Sequence, residues 1–174
     1  SIGVQTTQDH LLAKLGRAHS GHEAINALSE AKKIFDNINV DLMFALPGQQ
    51  IDELRRDLSG VLEFVPEHLS IYQLTIEPNT WFYRYPPKLP DDDLASEMQF
   101  EIESIVDKCG YDQYEVSAFS KPDRQCSHNI NYWKFGDYVG IGAGAHSKLS
   151  GTQGVTRMVK YKQPKRYMDG VFSG

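Results

Sequence analysis

The sequence predicts an α/β fold: part of a parallel (β/α) barrel over residues 1–80, followed by a linker, a helix and a small, short-stranded α+β C-terminal extension over residues 81–174. Three observations point there. Apolar spacing switches between strand-like and helix-like periods. The strand-like runs "NVDLMFALPG" and "IYQLTIEP" stop at Pro or Gly, as strands do. Helices lie between these strands, so the connections are crossovers and the neighbours parallel.

Residues 1–4 read as a short strand whose open edge predicts a tendency to aggregate. Thr7 is placed to cap a short helix carrying Leu11, Leu12 and Leu15, closed by Gly16. Ser20 and Glu23 have the spacing of a capping box. Ala24, Ala27, Leu28, Ala31, Ile34 and Phe35 then recur at helical intervals, predicting a helix over 21–35. Residues 38–46 are apolar on both faces, as a buried parallel strand would be, and Pro47 and Gly48 end them. Asp41 interrupts that run; it either joins a structural network or faces a ligand, since a lone carboxylate there is costly. Ile51, Leu54, Leu58, Val61 and Leu62 give the next helix, and a third strand runs up to Pro78.

Trp81, Phe82, Tyr83 and Tyr85, with Pro86, Pro87 and Pro90, predict a loop that either covers the barrel rim or meets a ligand. An acidic start, then Leu94, Met98, Ile102, Ile105 and Cys109, predicts a helix closed by Gly110, with Cys109 in the core. "YDQYEVSAF", "DYVGIGAGAHS" and "GVTRMVK" are short β-prone stretches expected to extend the sheet antiparallel.

A formal charge of −5 and the lack of any Lys/Arg cluster in the first 120 residues argue against nucleic acid or an anionic membrane as partner. Lys160, Lys162, Lys165 and Arg166 read as a solvated face in preference to a phosphate or propionate site. The two cysteines, Cys109 and Cys126, are too far apart for a CxxC pair. No run has membrane-spanning length, and a reducing cytoplasm is the expected location. The chain starts without methionine and already reads as a strand, so it is expected to be a piece whose beginning is missing.

The blocks "SIGVQTTQDHLLAKLGRAHS", "NINVDLMFALPGQ", "PEHLSIYQLTIEPNT", "GYDQYEVSAFSKP", "CSHNINYW" and "DYVGIGAGAHS" follow one another over nearly the whole chain. In that order they resemble the radical SAM family of oxygen-independent coproporphyrinogen III oxidase-like proteins, and within it the heme chaperone branch. The resemblance implies a radical SAM-type barrel, S-adenosylmethionine and a [4Fe-4S] cluster. The CxxxCxxC block that would hold the cluster is absent, so this chain alone is expected to be inactive.

The resemblance implies that Gln5 and Asp41 hydrogen-bond the ribose of S-adenosylmethionine, that Arg17 holds its carboxylate, and that Thr75 lines the adenine pocket through its backbone. The chemistry suits them: a carboxylate accepts from a diol, and a guanidinium grips a carboxylate in a fork. On the residues alone, Gln5 also reads as a polar strand end and Arg17 as a surface arginine. The HNxNYW signature, here His128, Asn129, Asn131, Tyr132 and Trp133, is associated in the branch with heme binding. An imidazole ligates heme iron and aromatic rings flank a porphyrin, although a histidine in a loop is also a common hydrogen-bonded structural group. His146 is a second candidate heme contact, ranked below His128, and Cys126 reaches the iron or serves no ligand. In "GIGAGAHS" the small residues let the backbone pass close to another element. The implied function is binding of heme and its delivery to respiratory hemoproteins. The alternative is radical oxidative decarboxylation of coproporphyrinogen III propionates, against which the HNxNYW signature argues.

Overall fold

The computed structural model describes residues 1–172. The chain forms two compact units, Ser1–Gln125 and Cys126–Gly174. The first unit contains β1 (Ile2–Gln5), α1 (Asp9–Lys14), α2 (Gly21–Ile34), β2 (Asn39–Phe44), α3 (Ile51–Leu62), β3 (His68–Gln73), α4 (Trp81–Arg84), α5 (Asp92–Lys108), β4 (Asp112–Glu115) and β5 (Ala118–Ser120). The second contains α6 (Ser127–Trp133), β6 (His146–Gly151), β7 (Gly154–Val159) and α7 (Pro164–Phe172).

β1, β2 and β3 pair in parallel, and β5 and β4 continue the sheet antiparallel in the order β1-β2-β3-β5-β4. The helix and strands beyond residue 80, up to Ser120, thus build on the same sheet. Val40, Leu42 and Phe44 of β2 and Leu69 and Ile71 of β3 are buried with Leu28 of α2, Leu54, Leu58 and Val61 of α3, and Met98, Ile102 and Val106 of α5. Each such side chain contributes roughly 1.5–3 kcal/mol by leaving water. One capping box forms as expected: the Ser20 hydroxyl accepts from the Glu23 N–H while Glu23 accepts from the Ser20 N–H; the acidic start of α5 supplies a cap as well, Asp91 accepting from the Leu94 N–H at 2.9 Å.

Several expectations are corrected. β2 is not apolar on both faces: Val40, Leu42 and Phe44 are buried, while Asn39, Asp41 and Met43 alternate with them and are half-buried. Ile34 and Phe35 are exposed because α2 ends there and Phe35 turns to extended backbone. Cys109 is exposed, and Tyr111 enters the core instead, its hydroxyl donating to the Pro66 carbonyl at 2.6 Å. The aromatic segment at 81–84 is a helical turn, not a loop, capped by the Thr80 hydroxyl. Its Phe82 packs against Leu11, Leu46 and Leu74. "YDQYEVSAF" splits into β4 and β5 around a turn at Val116 and Ser117. "GVTRMVK" leaves the main sheet and pairs with β6 in a separate hairpin.

Thr7 does not cap α1, because its backbone N–H and hydroxyl both donate to Asp57 of α3, at 2.7 and 2.6 Å. Thr6 donates to the other carboxylate oxygen at 2.7 Å. This buried carboxylate ties the segment after β1 to a helix fifty residues on. Asp57→Ala leaves both hydroxyls and a backbone N–H unpaired in the interior. It is expected to cost about 2–4 kcal/mol, read as a lower urea midpoint with an unchanged slope.

Candidate functional site

In the first unit the expected S-adenosylmethionine residues fall into two groups. Gln5 ends β1 with φ +66°, and Ala45 follows β2 with φ +55°. Left-handed backbone costs a residue with a Cβ roughly 1–2 kcal/mol, and such strain collects at functional sites. The Gln5 amide lies over Gly3, where an added Cβ would fall 2.7 Å from Nε2. Gly3 is the register partner of Asp41, so the Gln5 amide and the Asp41 carboxylate share one face of neighbouring strands. Asp41 is in the middle of β2 rather than at its end. Its Oδ1 accepts from Asn39 Nδ2 at 2.7 Å and its Oδ2 from the Ser1 hydroxyl at 2.6 Å.

The second group gathers where α1 ends. The Arg17 N–H reaches back to the Leu12 carbonyl at 3.0 Å. Its guanidinium is exposed and makes no hydrogen bond or ion pair among the described residues. A cleft of about 480 Å3 lies beside it, lined by Lys14, Gly16, Thr75, Glu77, Trp81 and Phe82. The exposed Thr75 and Gly16, the residue before Arg17, therefore line one cleft, while Gln5 and Asp41 do not. The donor set fits the cofactor's parts: an amide and a carboxylate for hydroxyls, and an unengaged guanidinium for a carboxylate.

Below Asp41 is a polar network that the sequence reading overlooked. His68, 4% exposed, contacts Asn39 Oδ1 through Nδ1 and the Tyr114 hydroxyl through Nε2, each at 2.6 Å. The Ser70 hydroxyl donates to the same Asn39 oxygen at 3.1 Å. A signal was present, because Asn39 and Asp41, and His68 and Ser70, are spaced two apart and so share a strand face. Burial lowers the His68 pKa, opposed by the Asp41 and Glu115 carboxylates.

The second unit shows what "HNINYW" is. It is a helix, α6, and not a loop. Helical spacing brings the His128 and Tyr132 rings edge to face, with centroids 4.8 Å apart, and Tyr132 also meets Tyr138 at 5.0 Å. His128, Tyr132 and Trp133 are exposed. Asn131 has a structural position instead: its side-chain amide donates to the Asp137 carbonyl at 3.0 Å, and its backbone carbonyl accepts from the Gly136 N–H at 2.7 Å. A Cβ at Gly136 would lie 1.8 Å from Asn131 Oδ1. The turn after α6 is anchored by Lys148, 2% exposed, which donates to the Phe135 carbonyl at 2.6 Å, Asp137 at 2.9 Å and the Ser150 hydroxyl at 3.0 Å. The Ser150 N–H, followed by the Lys148 ammonium and the Ser150 hydroxyl, holds the Asp137 carboxyl down at about 2.

His146 is exposed at the start of β6. A Cβ at Gly140 would lie 2.1 Å from its carbonyl oxygen, so small residues in "GIGAGAHS" do permit a close backbone approach. No hydrogen bond or ring contact joins His146 to His128 among the described residues. Cys126 caps α6 from the second unit, Cys109 is in the first, and no group of three or more His, Cys, Asp or Glu among the described residues could hold a metal ion.

This architecture is similar to that of coproporphyrinogen III oxidase (HemN) from Escherichia coli, a radical SAM enzyme: the TM-score is 0.78 at 20% identity, over 98% of this chain and 42% of that one. The fold is therefore of the radical SAM, coproporphyrinogen III oxidase-like class. No family model matches the chain. It is 47% identical over 174 residues to the heme chaperone HemW of Haemophilus influenzae, covering 99% of this chain and 45% of that protein. It is 46% identical over 172 residues to HemW of Escherichia coli K12, covering 98% and 46%. It is also 37% identical over 180 residues to the mitochondrial radical S-adenosyl methionine domain-containing protein 1 of Bos taurus, covering 98% and 41%. Curated relatives that match nearly the whole of this chain are thus named HemW heme chaperones, and the chain is similar to one half of them. It spans about half the length of the curated relatives it matches.

Two outcomes follow for the site. His68 has a lowered folded pKa, so the unfolded chain binds the extra proton. Stability is then full above the unfolded histidine value of about 6.5 and falls as pH drops below it; denaturant titrations between pH 7.5 and 5 should show this loss, reduced in His68→Asn. Gly136→Ala drives a methyl group into the Asn131 amide and is expected to cost about 1–3 kcal/mol, read as a lower melting temperature of the second unit.

Proposed function

We propose that the protein carrying this chain is a heme chaperone that binds heme and S-adenosylmethionine and passes heme to respiratory hemoproteins. The observation that carries this reading is the division of labour along α6. Asn131 secures the turn, while His128, Tyr132 and Trp133 are left facing solvent. An exposed imidazole beside two exposed aromatic rings has the chemistry to ligate heme iron and cover a porphyrin face. His146 is a second contact for the same cargo.

In the first unit, Gln5 and Asp41 would hold the ribose of S-adenosylmethionine, Arg17 its carboxylate and the Thr75 backbone its adenine. When bound beside a reduced [4Fe-4S] cluster, that cofactor supplies an organic radical; the cluster ligands are not residues of this chain. Radical decarboxylation of coproporphyrinogen III has only likeness of fold behind it here. No helix among the described residues is long and apolar enough to cross a membrane, and we place the chaperone's work in the cytoplasm, with hemoproteins as the acceptors.

The test is a heme titration of the full-length protein and of His128→Ala, followed at the Soret band. Saturable binding weakened about tenfold or more, some 1.4 kcal/mol, is expected for the variant. Equal affinity would remove His128 from the ligand set and point to His146 or Cys126.

A further inference from the structure

We propose that Asn39 and His68 are positioning residues that aim the Asp41 carboxylate at the ribose diol of S-adenosylmethionine. This rests on the reading of Asp41 as a ribose ligand and adds to it the residues that set its direction.

The hydrogen bonds form a chain with one direction. Asn39 Nδ2 donates to Asp41 Oδ1 and to the Ser1 hydroxyl, each at 2.7 Å. That leaves Asn39 Oδ1 as an acceptor, and it takes His68 at 2.6 Å and Ser70 at 3.1 Å. His68 must therefore carry its proton on Nδ1, and Nε2 accepts from the Tyr114 hydroxyl at 2.6 Å. The order of donation is Tyr114 to His68 to Asn39 to Asp41.

Backbone register enforces this chain. Asn39 and Asp41 are two apart on β2, and their partners on β3 are His68 and Ser70. His68 and Ser70 are each 4% exposed, so neither side chain has water as an alternative partner. Rotating the Asn39 amide by half a turn would set its NH2 against the donors of His68 and Ser70 and its oxygen against Asp41. The amide is thus held in one orientation, and it occupies one lone pair of Asp41 Oδ1. The Ser1 hydroxyl occupies one lone pair of Oδ2 at 2.6 Å, so each oxygen keeps one lone pair in a fixed direction, which suits acceptance from two adjacent hydroxyls. Gln5, whose amide covers the Gly3 backbone opposite Asp41, adds a polar group on the same face.

The experiment uses the full-length protein with its cluster reconstituted, equilibrium dialysis with S-adenosylmethionine, and its 2′,3′-dideoxy analogue as the second probe. Asn39→Ser is expected to weaken S-adenosylmethionine about tenfold, to leave the analogue unchanged, and to add nothing when combined with Asp41→Ala. His68→Asn, which retains an N–H near the position of Nδ1, should bind more tightly than His68→Ala. Ser70→Ala removes one donor to the same amide oxygen and is the milder variant should Asn39→Ser fail to fold.

An equal loss for both probes, or unchanged affinity in a folded Asn39→Ser protein, would overturn the proposal. If the wild-type protein binds no S-adenosylmethionine, the underlying cofactor reading fails. If it binds but Asp41→Ala has no effect, the Asp41 assignment fails and the positioning role with it.

Discussion

The sheet of the first unit depends on how its polar face is satisfied. Helices α2, α3 and α5 cover the face built from Val40, Leu42, Phe44, Leu69 and Ile71, and that burial needs no direction. The opposite face presents Asn39, Asp41, His68 and Ser70 in register, and burying such groups unpaired would cost more than the strands could sustain. The Asn39 amide, with all four of its hydrogen-bonding positions used, resolves this. Because the solution is directional, it leaves a carboxylate with a set orientation on a strand. A face selected for satisfaction of polar groups is thus also prepared to receive a polar ligand.

The same economy operates in the second unit with different chemistry. Lys148 is buried yet fully engaged by the Phe135 carbonyl, Asp137, Ser150 and the Phe135 ring, whose centroid is 3.8 Å from Nζ. This cluster and the Asn131 amide pin the turn that follows α6, so a seven-residue helix keeps its shape without a core of its own. Of its rings, Tyr132 packs against His128 and Tyr138, while Trp133 is left exposed. The first unit fixes the Asp41 carboxylate by hydrogen bonding it, whereas the second exposes His128 and Trp133 by anchoring their neighbours.

Much of the fold was legible because local chemistry decided it. The Ser20 and Glu23 pair and Gly16 act over a few residues and appear in the structure as expected, whereas β2 and β3 end at Phe44 and Gln73, short of Pro47 and Pro78. The long-range partners were not legible. Thr7 has the look of a helix cap, yet Asp57 competes for it from fifty residues away, and spacing carries no trace of that. Cys109 fits the apolar period of α5, but the helix ends at Lys108 and the residue rotates outward. Of the site, the residue types were readable and their surroundings were not. HNINYW was read as a histidine in a loop between aromatics; it is a helix, with the turn beyond it anchored by Asn131 and Lys148.

The central claim is that the signature divides into a structural asparagine and ligand-facing aromatics. The most direct measurement compares Asn131→Ala and Trp133→Ala in the full-length protein, recording thermal melting and heme affinity for each. The account predicts that Asn131→Ala lowers the melting temperature and carries heme affinity down with it, while Trp133→Ala melts like the wild type and binds heme more weakly. A Trp133→Ala protein that loses stability but keeps its heme affinity would contradict the account.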